Sequence, residues 1–133
     1  MVADGTTYSK QEKIMEMMTM NATNTTCGTN VRNWYMATLW AAAAGLPIQE
    51  IPVEQLVDDY EDINVWFARG AKPTWGEVVW HAQRIQNADM SYPVILSETG
   101  VVLDGMHRIA KAHMNGDKTI KFVQFEIDPE PDA

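Results

Sequence analysis

The sequence predicts an α+β domain, with helices packed around a small, mostly mixed sheet. Three observations carry that class. The apolar runs Tyr92–Leu96 and Val101–Leu103 read as two strands joined by a short turn. Two capping boxes, Ser9-x-x-Glu12 and Thr74-x-x-Glu77, mark the starts of helices. Thr119 to Ile127 alternates as a last strand, with Ile120, Phe122 or Val123, and Phe125 on its inner side.

Taken in order, Ile14, Met17 and Met18 recur at helical spacing behind Ser9. The Thr- and Asn-rich stretch Asn21 to Gly28 reads as a linker. Thr29 or Asn30 can cap a second helix, with Val31, Trp34, Tyr35, Thr38, Leu39 and Ala42 on one face and Gly45 and Pro47 at its end. Residues 1–47 are therefore expected to form a helical hairpin, packed on the main fold or on a second subunit. Nine methionines, mostly near the N-terminus, suggest an adaptable apolar surface, and residues 8–46 are the expected homo-oligomer contact.

Ile48, Glu50–Val53 and Leu56 alternate like the first strand of a main domain spanning 48–127, with Pro52 at an edge. After the acidic stretch Asp58–Asp62 and the loop Gly70–Pro73, the second capping box predicts a helix from about Trp75 to about Ala88. Its Val78, Ala82 and Ile85 are expected to face the core, with Glu77, His81 and Arg84 opposite. Asp104-Gly105 then breaks a strand, and Met106 to Met114 forms a helix closed by Asn115-Gly116, with Ile109, Ala110 and His113 or Met114 inward. Residues 128–133 read as a flexible acidic tail.

Composition narrows the function classes. Net charge is −8, with Lys and Arg scattered, which argues against a DNA-coating surface but leaves room for a small positive pocket. Cys27 is the single cysteine, so neither an intrachain disulfide nor a multi-cysteine metal site is available, and a reducing cytoplasm is expected. The longest apolar stretch, Trp34 to Leu46, is too short for a bilayer, and no secretory leader is visible.

The chemistry concentrates in Asp104-Gly105-Met106-His107-Arg108. A glycine between strand and helix permits a tight turn, so the first helical N–H groups of Met106, His107 and Arg108 can converge on an anion. Arg108 can clamp phosphate oxygens, and His107 can donate hydrogen bonds or move a proton. Asp104 can cap the helix or hold a metal or hydroxyl. The alternative for the whole string is an ordinary helix cap with a solvated first turn.

The passages Pro93–Leu96, Val102–Ala112 and Ile120–Phe125, with Ile51-Pro52-Val53-x-x-Leu56 ahead of them, resemble the ParB N-terminal/sulfiredoxin-like superfamily. Small stand-alone ParB-like bacterial and phage proteins also share Pro73-Thr74-Trp75, His81-Ala82-x-Arg84-Ile85, Ala88-Asp89 and Ser91-Tyr92-Pro93. The resemblance implies nucleotide phosphates bound at Gly105, Met106, His107 and Arg108, with Asp104 and His107 as catalytic candidates. ATP, ADP or CTP with Mg2+ is the implied ligand, and phosphoryl transfer or nucleotide hydrolysis the implied reaction. Met106 replaces the sulfiredoxin cysteine, so that chemistry is not expected. The sequence stops soon after its last predicted strand, so the DNA-binding helix-turn-helix of partition proteins is not expected either.

Four further residues are candidates around the same pocket. Glu77, His81 and Arg84 could flank it from the neighbouring helix, and Lys111 could reach a phosphate; a solvated face is the plain alternative. The three histidines lie on different faces or elements, so no His metal site is expected. Trp34 and Trp40 are expected in the core or a dimer contact, and Trp66 and Trp75 in packing, with base stacking as their second option. A non-catalytic interaction protein using the N-terminal hairpin is the second functional expectation. A ParB-like nuclease, which the acidic charge disfavours, is the third.

Overall fold

The computed structural model describes residues 26–28, 33–67, 70 and 72–132. The helix expected behind Ser9 lies outside the described residues, as do most of the linker after it and the caps Thr29 and Asn30. The described chain runs β1 (Thr26–Gly28), β2 (Asn33–Tyr35), α1 (Met36–Ala43), β3 (Gln49–Pro52), α2 (Val53–Tyr60) and α3 (Trp75–Gln86). It continues through β4 (Val94–Leu96), β5 (Val102–Asp104), α4 (Met106–Met114) and β6 (Thr119–Gln124). This is the mixed α+β class.

Four strands form the main sheet in the order β3-β6-β4-β5. β3 and β6 are antiparallel, with Ile51 opposite Ile120, and β4 runs parallel to β6, with Val94 opposite Phe122. β4 and β5 make the expected hairpin. Its turn is closed by Ser97 N–H donating to the Val101 carbonyl at 2.8 Å and Gly100 N–H to the Ser97 carbonyl at 2.9 Å. Parallel pairing of β4 with β6 requires a crossover, and α4 supplies it.

Both faces of this sheet are covered, which explains why β4 reads as a continuous apolar run. On one face, Val94, Leu96, Ile120 and Phe122 pack with Val53, Leu56 and Tyr60 of α2 and Ile109 and Ala112 of α4. On the other, Ile95, Leu103, Val123 and Phe125 pack with Trp34, Leu39 and Ala43. Residues 34–43 therefore share the core of the sheet that follows them.

Several local expectations are corrected. The second helix starts at Met36, because Asn33–Tyr35 pairs with Thr26–Gly28 as an antiparallel hairpin. Val53 and Leu56 are helical: Pro52 ends β3 and its fixed φ of −58° serves as the N-cap of α2. On α3 the inward face is not Val78 and Ala82, which are exposed, but the side bearing His81 and Ile85. Among the described helices and strands, α3 packs chiefly along α4, and it buries no residue fully, so its apolar stripe does not dictate its rotation. In α4 the buried pair is Ile109 and Ala112, with His113 and Met114 outside.

The acidic tail is anchored rather than free. Asp128 is buried and accepts from Glu98 N–H at 2.8 Å, and the Pro129 carbonyl accepts from Trp34 Nε1 at 2.9 Å. Tyr35 N–H donates to Asp132 Oδ2 at 2.9 Å. Two main-chain donors and one indole thus gain acceptors that residues 128–132 supply.

Candidate functional site

The strand-to-helix turn after β5 is built on Gly105. Its φ of 120° is closed to side chains, and an added Cβ would stand 2.9 Å from Val94 Cγ2 and 3.2 Å from Val94 Cα. Only glycine lets the start of α4 press this closely on β4. Gly105 is also the N-cap residue, and it offers no side chain to the first-turn N–H groups.

Asp104 is not the cap. Its Oδ2 accepts from Arg108 Nη2 at 3.0 Å and from Trp40 Nε1 at 2.9 Å. The Arg108 side chain is 13% exposed and that of Asp104 24%, so this i,i+4 pair is shielded on most sides. Trp40, expected in the core or a dimer contact, is instead about half exposed and ties α1 to the end of β5.

His107 points its ring at α3. His81 Nδ1 and His107 Nε2 stand 2.8 Å apart and share one hydrogen. Both rings lie flat on the indole of Trp66, at centroid distances of 4.7 Å for His81 and 4.6 Å for His107 and angles of 12° and 5°. Phe67 and Trp80 meet the His81 ring edge-on at 5.4 and 4.8 Å. Arg84 places its guanidinium 5.2 Å from the Trp80 ring, a cation–π contact.

This enclosure makes protonation costly. Burial, followed by the neighbouring His81 and Arg84, pushes His107 down to about 4, and Asp104 opposes the shift. Burial also holds His81 below its ordinary value, with Glu77 opposing and Arg84 reinforcing. Near neutral pH the pair is uncharged, and each ring carries one proton.

The other candidates are divided. Arg84 remains beside the pair. Glu77 is occupied in its capping box, where Thr74 Oγ1 donates to Glu77 Oε1 at 3.0 Å and accepts from Glu77 N–H at 3.1 Å. Lys111 Nζ donates to the carbonyls of Gln86 and Ala88, each at 3.0 Å, and closes the end of α3. Trp75, expected in packing, is 82% exposed. Trp66 is the site residue that sequence reasoning underweighted, and an indole next to a loop carries no signal that two imidazoles will stack on it.

Behind Trp66 and Met106 an apolar groove of about 330 Å3 runs between α2 and α4, floored by Leu56, Tyr60 and Ile109. Among the described residues, no group of three His, Cys, Asp or Glu side chains could hold a metal ion. Nor is any helix there long and apolar enough to cross a membrane. No protein-family model, curated protein or solved structure matches the chain.

Proposed function

We propose that the protein binds a small phosphorylated ligand, with a nucleotide as the leading class, at the start of α4. The observation that carries this reading is the helix start without a side-chain cap, with Arg108 and His107 in the same first turn. First-turn N–H groups and the helix dipole favour an anion there, and Arg108 can exchange its contact with Asp104 for phosphate oxygens. The resemblance of this turn to the ParB/sulfiredoxin-like phosphate site supports the same assignment, as does the single cysteine for a cytoplasmic setting.

Phosphoryl transfer or nucleotide hydrolysis is the reaction class we assign, with Mg2+ entering on the ligand's own phosphates and Asp104 as the carboxylate at hand. Calorimetry with ATP, ADP and CTP, each with Mg2+, tests the reading. Binding in the wild type, weakened at least about tenfold in a folded Arg108→Ala variant, is the expected result. No binding at millimolar nucleotide, or equal binding in the variant, overturns it.

A second reading, an interaction protein, is favoured by α3 itself. Trp75 and Val78 are exposed along one stripe, and none of its twelve residues is buried. The occupant we assign is a second copy of the chain. Two-fold pairing of this stripe with itself would cover Trp75 and Val78 of both copies. A dimer by light scattering that Trp75→Ser and Val78→Ser together dissolve supports this reading; a wild-type monomer at high micromolar concentration sinks it.

A further inference from the structure

The geometry of the two imidazoles fixes more than their contact. Their ring centroids lie 5.1 Å apart with planes 14° from parallel, while the facing nitrogens are 2.8 Å apart. The centroid separation is close to the nitrogen separation plus a ring radius at each end. The rings therefore meet head-on and nearly coplanar, each lone-pair direction aimed at the other nitrogen. Two imidazoles on one metal ion aim at a common third point; a head-on pair accommodates a single proton between them.

Atom identity gives the pair a direction. His107 uses Nε2, so its remaining nitrogen is Nδ1, the one bonded to Cγ on the backbone side of the ring. His81 uses Nδ1, so its remaining nitrogen is Nε2, at the tip of the ring. His107 is the more buried of the two. The charged groups facing the pair are Glu77 and Arg84 from α3, Asp104 from the end of β5, and Arg108 from α4. Trp66 lies under both rings and holds them in line, which keeps the facing nitrogens aimed at each other.

We propose that His81 and His107 form a two-imidazole proton relay, an acid–base unit serving the ligand held at the start of α4. The relay rests on the phosphate-site reading above. The attacking hydroxyl or water of phosphoryl transfer gives its proton to His107 Nδ1. The proton on His107 Nε2 passes to His81 Nδ1, and the proton on His81 Nε2 passes to bulk water and its buffer base. Both rings finish neutral with their tautomers exchanged, the attacking oxygen keeps its electron pair for phosphorus, and nothing is oxidised or reduced. His107 is the catalytic residue; His81 acts through it.

Nitrogen-15 NMR of the full-length protein tests the relay without any turnover. The expected result is one strongly downfield N–H proton at neutral pH, coupled to both His81 Nδ1 and His107 Nε2. The pair should take up no more than one proton while that signal persists. In His81→Gln the shared signal disappears and His107 titrates as a single ring. ATP affinity then stays within about threefold of the wild type while phosphate release from ATP falls about 100-fold. Two rings that titrate independently, no shared proton, or unchanged phosphate release in the variant overturns the relay alone. Absence of ATP binding to the wild type overturns the ligand site and the relay with it, even where the shared proton is seen.

Discussion

Arg108 donates to Asp104 across 3.0 Å, one helical turn apart, and Trp40 completes the carboxylate's contacts from a third element. The cation best placed to hold a phosphate is thus already partnered by a carboxylate. Replacing Asp104 by Asn keeps an acceptor for Trp40 and removes the competing charge. Affinity for nucleotide by calorimetry should rise severalfold, while urea unfolding shows a loss of about 1–3 kcal/mol for the broken charge-assisted bond. A fall in affinity would instead give Asp104 a direct ligand role.

Gly105→Ala tests the turn. The substituted residue meets a φ of 120° and a Cβ contact of 2.9 Å with Val94, so α4 must lift away from β4. A cost of about 2–4 kcal/mol, backbone strain plus displaced packing, should appear in thermal or urea unfolding.

The imidazole pair makes stability depend on pH in a defined window. His107 titrates near 6.5 when unfolded and at about 4 when folded, so between those values the unfolded chain binds more protons. Stability is fully present above about 6.5 and declines as pH falls toward 4, with His81 contributing in the same direction. Urea midpoints measured from pH 7.5 to 4 should fall accordingly, and His107→Asn should flatten the curve.

Trp66 should report that titration. A protonated imidazole quenches an indole stacked on it, so emission should fall over the acid limb, and the fall should be absent in Trp66→Leu. The same variant should lose about 1–3 kcal/mol by urea unfolding, because two stacked ring contacts go with the indole.

Leu39→Ala asks whether the segment ahead of β3 belongs to the fold. Leu39 is fully buried against the face of the sheet that carries Val123 and Phe125. A loss of about 2–5 kcal/mol in a single cooperative transition is expected. A separate low-temperature transition with the main one unchanged would mark the segment as independent.

The α+β class, the β4–β5 hairpin, the Thr74 capping box and the glycine turn at Gly105 were legible because each rests on a local rule. Alternation, capping chemistry and positive φ act within a few residues, so one strand of text contains their cause. The start of α2 was misjudged because Ile51-Pro52-Val53-x-x-Leu56 satisfies strand and helix periods equally over so short a run. The anchored tail was missed because its acceptors answer donors at Trp34 and Tyr35, nearly a hundred residues earlier.

For the candidate site the division is the same. The sequence by itself determined that Asp104–Arg108 forms a tight turn into a helix, since Gly105 alone tolerates that backbone. Only the tertiary structure decided that Asp104 pairs with Arg108 instead of capping, and that His81 turns inward to meet His107 over Trp66. Those choices depend on the rotation of α3 and the path of the loop carrying Trp66. Packing across elements sets both, and no periodicity within α3 encodes either.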